Sequence, residues 1–146
     1  MRRYCFKLLL TVLSASLPWA VLAADDPCFE KAQTQAQLNE CAFNSWKRAD
    51  VELNHLYQQM GDRLHSDQKA RQLLVDTQRK WLSFRDAECA FQTMRSAGGS
   101  IQPMLERSCL ADLTRVRITD FQNQLACAKA AGEQGASDCA IPPGSK

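Results

Sequence analysis

Apolar residues recur along this chain at steps of three and four, the spacing of one face of an α-helix. From Thr34 onward, Leu38, Ala42, Trp46, Ala49, Leu53, Leu56, Met60 and Leu64 fall on such a face. Thr34 with Gln37 supplies a capping-box start. Gly61 is placed to be the C′ residue that ends the helix. Ser66 or Asp67 then caps a second helix, whose stripe reads Leu74, Thr77, Trp81, Phe84, Glu88 and Phe91, with Glu88 among the apolar positions. Ala97-Gly98-Gly99-Ser100 breaks the pattern, and Pro103 fits the first turn of a third helix. That helix carries two stripes, Leu105/Cys109/Leu113/Val116 and Leu110/Thr114/Phe121/Leu125/Ala128, as a helix touching two neighbours would. From Gly132 the chain reads GEQGASDCAIPPGSK, three Gly and two Pro in 15 residues. No strand pattern, repeat or low-complexity segment interrupts this order. The expected architecture is all-α: a three-helix antiparallel bundle over residues 24–131 and a loop-like tail over 132–146.

The N-terminus follows a different logic. Arg2, Arg3 and Lys7 precede an apolar run broken by Ser14, Ser16 and Pro18, which ends in the small-residue box Val21-Leu22-Ala23. This reads as a secretory signal peptide, residues 1–23, cleaved on export to the periplasm or the outside. Cys28 follows Asp25, Asp26 and Pro27 instead of standing directly after the box, so neither a lipid attachment nor a membrane anchor is expected. Cleavage removes three of the 18 basic residues and none of the 16 acidic ones, turning a net charge of +2 into −1. A nearly neutral chain without Lys/Arg runs lacks the electrostatic footprint of a nucleic-acid binder.

Export also decides what the cysteines mean. Cys5 leaves with the signal, and Cys28, Cys41, Cys89, Cys109, Cys127 and Cys139 remain, an even set that reads as a disulfide framework. With a turn centred on Gly99, Cys89 and Cys109 lie at equal distances from it on antiparallel helices and face each other. Cys28 and Cys41 lie together at the start of the first helix, and Cys127 has Cys139 near it in sequence. These three pairings are the expectation; a turn near residue 65 also brings Cys41 toward Cys89.

Candidate chemistry is sparse. Trp81, Phe84, Arg85 and Glu88, with Trp46 from the first helix, are expected to form a packed seam, Arg85 pairing with Glu88 one turn away. Glu88 as a general acid would need a second group and a pocket that a bundle of this size has little room for. Glu52 and His55 have the Glu-x-x-His spacing of di-iron bundles, but only once. Asp62 and His65 lie on the same helix, so no metal site or cofactor is expected. Cys-x-x-Cys, Gly-x-Ser-x-Gly, Gly-x-Gly-x-x-Gly and His-Glu-x-x-His are all absent, which removes the commonest enzyme classes. Gly98, Gly99, Ser100 and Ile101 remain as a recognition element: a loop stiffened by an adjacent disulfide binds with little ordering cost.

Several segments together resemble a known family: Gln37 to Ala42 (QLNECA), Ala49 to Asn54 (ADVELN) with Tyr57, Trp81 to Cys89 (WLSFRDAEC), Gly98 to Ile101 (GGSI), and Cys109-Leu110. Their order and spacing are similar to the LprI-type lysozyme inhibitors, over residues 28 to 121. The Trp-x-x-Phe-Arg-Asp-x-x-Cys element is the most specific part. The resemblance implies an exported, helical, disulfide-bearing envelope protein, with lysozyme as the partner that the family name supplies; with the common enzyme motifs missing, it is not expected to be an enzyme. Cys127 and Cys139 are additions to that pattern. The leading expectation is therefore a lysozyme inhibitor acting by steric occlusion. A non-inhibitory envelope assembly factor is the alternative, and a small metal-dependent hydrolase stands behind both.

Overall fold

The computed structural model describes residues 27–135 and 139–142; the expected signal peptide lies outside them. Helix α1 spans Pro27–Lys31, α2 Gln35–Arg63, α3 Gln68–Thr93 and α4 Gln102–Gly135, with a 3₁₀ turn at Met94–Ser96. Among the described residues there is no strand. The bundle of three long helices thus stands as expected, with α1 as an added short element before it.

Helices α2 and α3 start where their sequences provide a cap. The Thr34 hydroxyl accepts from the Gln37 N–H at 3.2 Å, and Gln37 Oε1 accepts from the Thr34 N–H at 3.1 Å, the reciprocal box. Asp67 caps α3 by accepting from the Ala70 N–H at 2.9 Å. The end of α2 differs from expectation. It runs through Gly61 in helical conformation and stops at Leu64, whose N–H turns back to the Met60 and Asp62 carbonyls. No left-handed residue is used there, so glycine is not what ends the helix.

Side-chain contacts set the topology. Gln35 meets Met104, Arg115 donates to Ser45, and Gln122 donates to Glu52, all at separations of 69 or 70 residues. A constant offset means that α2 and α4 run parallel. Helix α3 runs antiparallel to α4, because Cys89 is bonded to Cys109, Arg85 reaches Thr114, and Gln78 reaches Arg117. The most extensive packing is between α2 and α4. Small buried residues line it, Ala42, Ser45 and Ala49 on one side and Ala111 and Thr114 on the other, and small side chains let the two backbones approach.

Apolar packing concentrates at the end holding the α2–α3 turn. Ala49, Leu53, Met60, Leu64, Leu74, Ile118, Phe121, Leu125 and Ile141 form one cluster. Ile141 comes from the segment expected to be a loop-like tail. Helix α4 continues past Gly132 to Gly135, and the Cys127–Cys139 bridge (Cα–Cα 5.8 Å) returns the chain so that Ile141 is 2% exposed. Truncation after Cys139 keeps the bridge but removes this contact. It should lower stability by about 2 kcal/mol, seen as a lower urea midpoint with little change in slope.

All three pairings expected from the sequence are present, Cys28–Cys41 and Cys89–Cys109 each with Cα–Cα 5.6 Å. Of the two stripes expected on α4, one is core at Leu110, Thr114, Phe121 and Leu125, joined by Ala111 and Ile118, while its last member, Ala128, lies outside the described side chains. The other is not. Leu105 is 37% and Val116 61% exposed, because α4 meets its neighbours across a single broad face.

Candidate functional site

The two glycines stand at the end of the bundle opposite the apolar cluster. The Thr93 hydroxyl donates to the Cys89 carbonyl at 2.8 Å and the Ser96 hydroxyl to the Thr93 carbonyl at 2.7 Å, closing the last turns of α3 onto themselves. Gly98 then takes φ +78°, a conformation that side chains rarely adopt. A Cβ at Gly99 would lie 3.1 Å from the Ser96 carbonyl oxygen. The Gly98 N–H donates to Gln102 Oε1 at 2.8 Å, the Gly99 N–H to the Ser96 carbonyl at 3.0 Å, and the Gln102 N–H to the Gly99 carbonyl at 3.1 Å. From across the bundle, Asn39 Nδ2 donates to the Ser100 carbonyl at 3.1 Å. Residues 97–101 are thus fastened by hydrogen bonds to the 3₁₀ turn after α3, to α4 and to α2, with the Cys89–Cys109 bridge beneath them, yet all are exposed. Ile101 stays 41% and Met94 58% exposed.

Sequence reasoning named Gly98, Gly99, Ser100 and Ile101 but missed the residues that hold them. Asn39 and Gln102 are those holders. The available signal was a pair of amides, one just past the loop and one in the first turns of α2.

The Trp81–Cys89 stretch is arranged differently from the expected seam. Arg85, not Phe84, points inward. The residue is 6% exposed, and its guanidinium donates to Asp86 Oδ1 at 2.9 Å, Thr114 Oγ1 at 3.3 Å and Asp50 Oδ1 at 3.4 Å. Phe84 is 56% exposed and so stands outside the seam. Glu88 is not the partner of Arg85; it accepts from Gln92 Nε2 at 2.8 Å. The helix is turned by about one position (~100°) from the apolar stripe, because a buried Arg with three acceptors is satisfied and the disulfide commits Cys89 to α4.

Trp81 packs against the apolar cluster between two cations, Arg85 at 5.3 Å and Arg117 at 5.7 Å from its ring. Burial lowers the pKa of Arg117 below its ordinary value, with Asp120 opposing the shift. Arg117 also lies 4.5 Å from the Phe121 ring, so three arginine–aromatic contacts tie the polar middle of the bundle to its core. Trp46 is half-buried under Arg107 at 4.7 Å and beside Phe43 at 5.8 Å.

Among the described residues no other constellation with chemistry assembles. His55 is exposed beside Gln59, and His65 Nδ1 lies 2.8 Å from the Asp62 carbonyl oxygen. Glu52 accepts from Gln122 at 3.2 Å. Among the described residues no three His, Cys, Asp or Glu side chains converge as metal ligands. A surface depression at the start of α3 is lined by Gln68, Lys69, Arg71, Gln72 and Val75 and holds no carboxylate or imidazole. No helix among the described residues is long and apolar enough to cross a membrane.

Comparison with known proteins adds three findings. Residues 28–121 match the profile of a family described as lysozyme inhibitor LprI. An uncharacterized protein of Rhizobium meliloti (strain 1021) is 33% identical over 115 residues, covering 71% of this chain and 83% of its own. No solved structure matches the chain.

Proposed function

This chain belongs to the lysozyme inhibitor LprI family, and we propose that it is an exported inhibitor that occludes the lysozyme substrate cleft with its 97–101 loop. One observation carries the choice of surface. That loop is exposed along its whole length and fastened by hydrogen bonds to α2, to α4 and to the 3₁₀ turn that follows α3. A segment already ordered in its free state loses little entropy on binding, so a short contact can hold a large partner. The exposed Met94 and Ile101 beside it add apolar area. Export accords with the signal-like N-terminus and with cysteines paired in three bridges.

Ser100→Arg tests the loop directly. The Ser100 side chain is exposed and only its backbone carbonyl is used by Asn39. Helix content and thermal midpoint should therefore stay at wild-type values while inhibition of cell-wall lysis weakens by about tenfold. The wild-type effect should depend little on salt, as expected for a nearly neutral chain. Undiminished inhibition by folded Ser100→Arg would move the contact away from the loop. A protein that binds envelope proteins but no lysozyme would support the assembly-factor reading instead.

A further inference from the structure

Helix α3 buries Gln78, Arg85 and Thr93 while leaving large apolar side chains outside: Leu73 59%, Phe84 56%, Phe91 69% exposed, and Met94, just past its end, 58% exposed. These outer residues are ordered. Leu73, Thr77, Lys80, Phe84, Ala87 and Phe91 follow one another at alternating steps of four and three, and every one is exposed. That is the spacing of the seam in a two-helix coiled coil, with Leu73, Phe84 and Phe91 as its large apolar members, on a helix of 26 residues whose opposite side already packs on the bundle.

We propose that this seam pairs with the same seam of a second copy, the two α3 helices running antiparallel about a two-fold axis at Phe84. The charges select this occupant. Lys80 interrupts the apolar positions one turn before Phe84, and Glu88 stands on the same side one turn after it. An antiparallel pairing centred on Phe84 sets Lys80 of each copy against Glu88 of the other, twice, and stacks Phe84 on its counterpart. A parallel pairing would set Lys80 against Lys80. A cationic partner would meet Lys80 and Arg95 on this side, whereas a second copy meets its own complement. A two-fold contact of this kind closes at the dimer. It leaves the two 97–101 loops at opposite ends of the assembly, both free. The proposal does not rest on the inhibitor reading, and either can fail without the other.

Sedimentation velocity of the oxidised protein from about 1 to 100 µM tests it, a range suited to a modest helix–helix contact. The expected result is a concentration-dependent shift from monomer to dimer. Phe84→Lys should be monomeric throughout. Lys80→Glu, which sets two carboxylates against each other at each of two places, should weaken the dimer by about tenfold or more, and the charge-swapped Lys80→Glu/Glu88→Lys protein should recover it. All these side chains lie on the outer face, and the two charge variants carry the test even if Phe84→Lys fails to fold. A wild type that stays monomeric at every concentration overturns the proposal. So does a dimer indifferent to Phe84→Lys, or a charge swap that dimerises no better than Lys80→Glu. A monomeric wild type whose lysozyme binding is lost in Phe84→Lys would give the face to lysozyme and overturn the proposal as well.

Discussion

Replacing Phe121 by alanine is expected to lower the unfolding free energy of the oxidised protein by about 3–5 kcal/mol, the range for a fully enclosed aromatic. Phe121 is 0% exposed and belongs to the cluster in which α2, α3, α4 and the returning tail all take part. Truncating it opens a cavity that none of these elements can close alone, since α4 is fixed by a disulfide at each end of its core stretch. The Arg117 guanidinium 4.5 Å from the ring would lose its aromatic neighbour at the same time. Urea unfolding should show a much lower midpoint with an unchanged slope. A loss below about 1 kcal/mol would mean that the site collapses freely and that the packing described for this end is wrong.

The second large effect is at Arg85. Arg85→Ala removes three side-chain hydrogen bonds and a buried stem, and should cost about 3 kcal/mol. The acids left behind stay partly hydrated, Asp50 34% and Asp86 61% exposed, and the Thr114 hydroxyl still donates to the Leu110 carbonyl at 2.6 Å. What is lost is therefore mainly packing and charge-assisted bonding, not a stranded buried charge. Arg85→Met restores most of the packing and should cost less than Arg85→Ala, about 1 kcal/mol, because the partly exposed Asp50 and Asp86 can take water in place of the guanidinium. Both variants, where folded, should inhibit lysozyme as wild type does. A folded Arg85→Met protein without activity would show that the Trp81–Cys89 stretch contacts the partner.

These residues also mark where the sequence was transparent and where it was not. On α2 the apolar spacing, the Thr34/Gln37 cap and the buried Ala49, Leu53 and Met60 agree, because hydrophobicity and helix geometry point the same way there. Cysteine pairing was readable from register, since Cys89 and Cys109 stand at equal distances from Gly99. On α3 two signals conflicted. The apolar stripe ran through Phe84 and Glu88, whereas a Cys89 bonded to α4 required the next position, and hence Arg85, to face inward. Burial of an Arg is paid for by Asp50, Asp86 and Thr114, two of which are on other helices and invisible to periodicity. The short α1 was illegible for a related reason. Five residues cannot hold a helix by their own propensity, and Pro27 at its start together with the Cys28–Cys41 bridge supplies the restraint. The inward return of Ile141 is likewise a consequence of the Cys127–Cys139 bridge and not of local sequence.

Within the candidate site, the loop was legible from Gly98 and Gly99 and its stiffening from the adjacent disulfide, while its fastening to α2 and α4 was not. That fastening depends on Asn39, which stands 61 residues from the carbonyl it holds, and on the Gln102 amide folding back to Gly98.

The central claim is that lysozyme meets the disulfide-clamped end of the bundle. Amide hydrogen exchange of the oxidised protein, with and without lysozyme, tests it most directly. The account predicts added protection over residues 97–105, with the α2–α3 turn around residue 65 unchanged. No binding at all, or protection confined to that opposite turn, would contradict it.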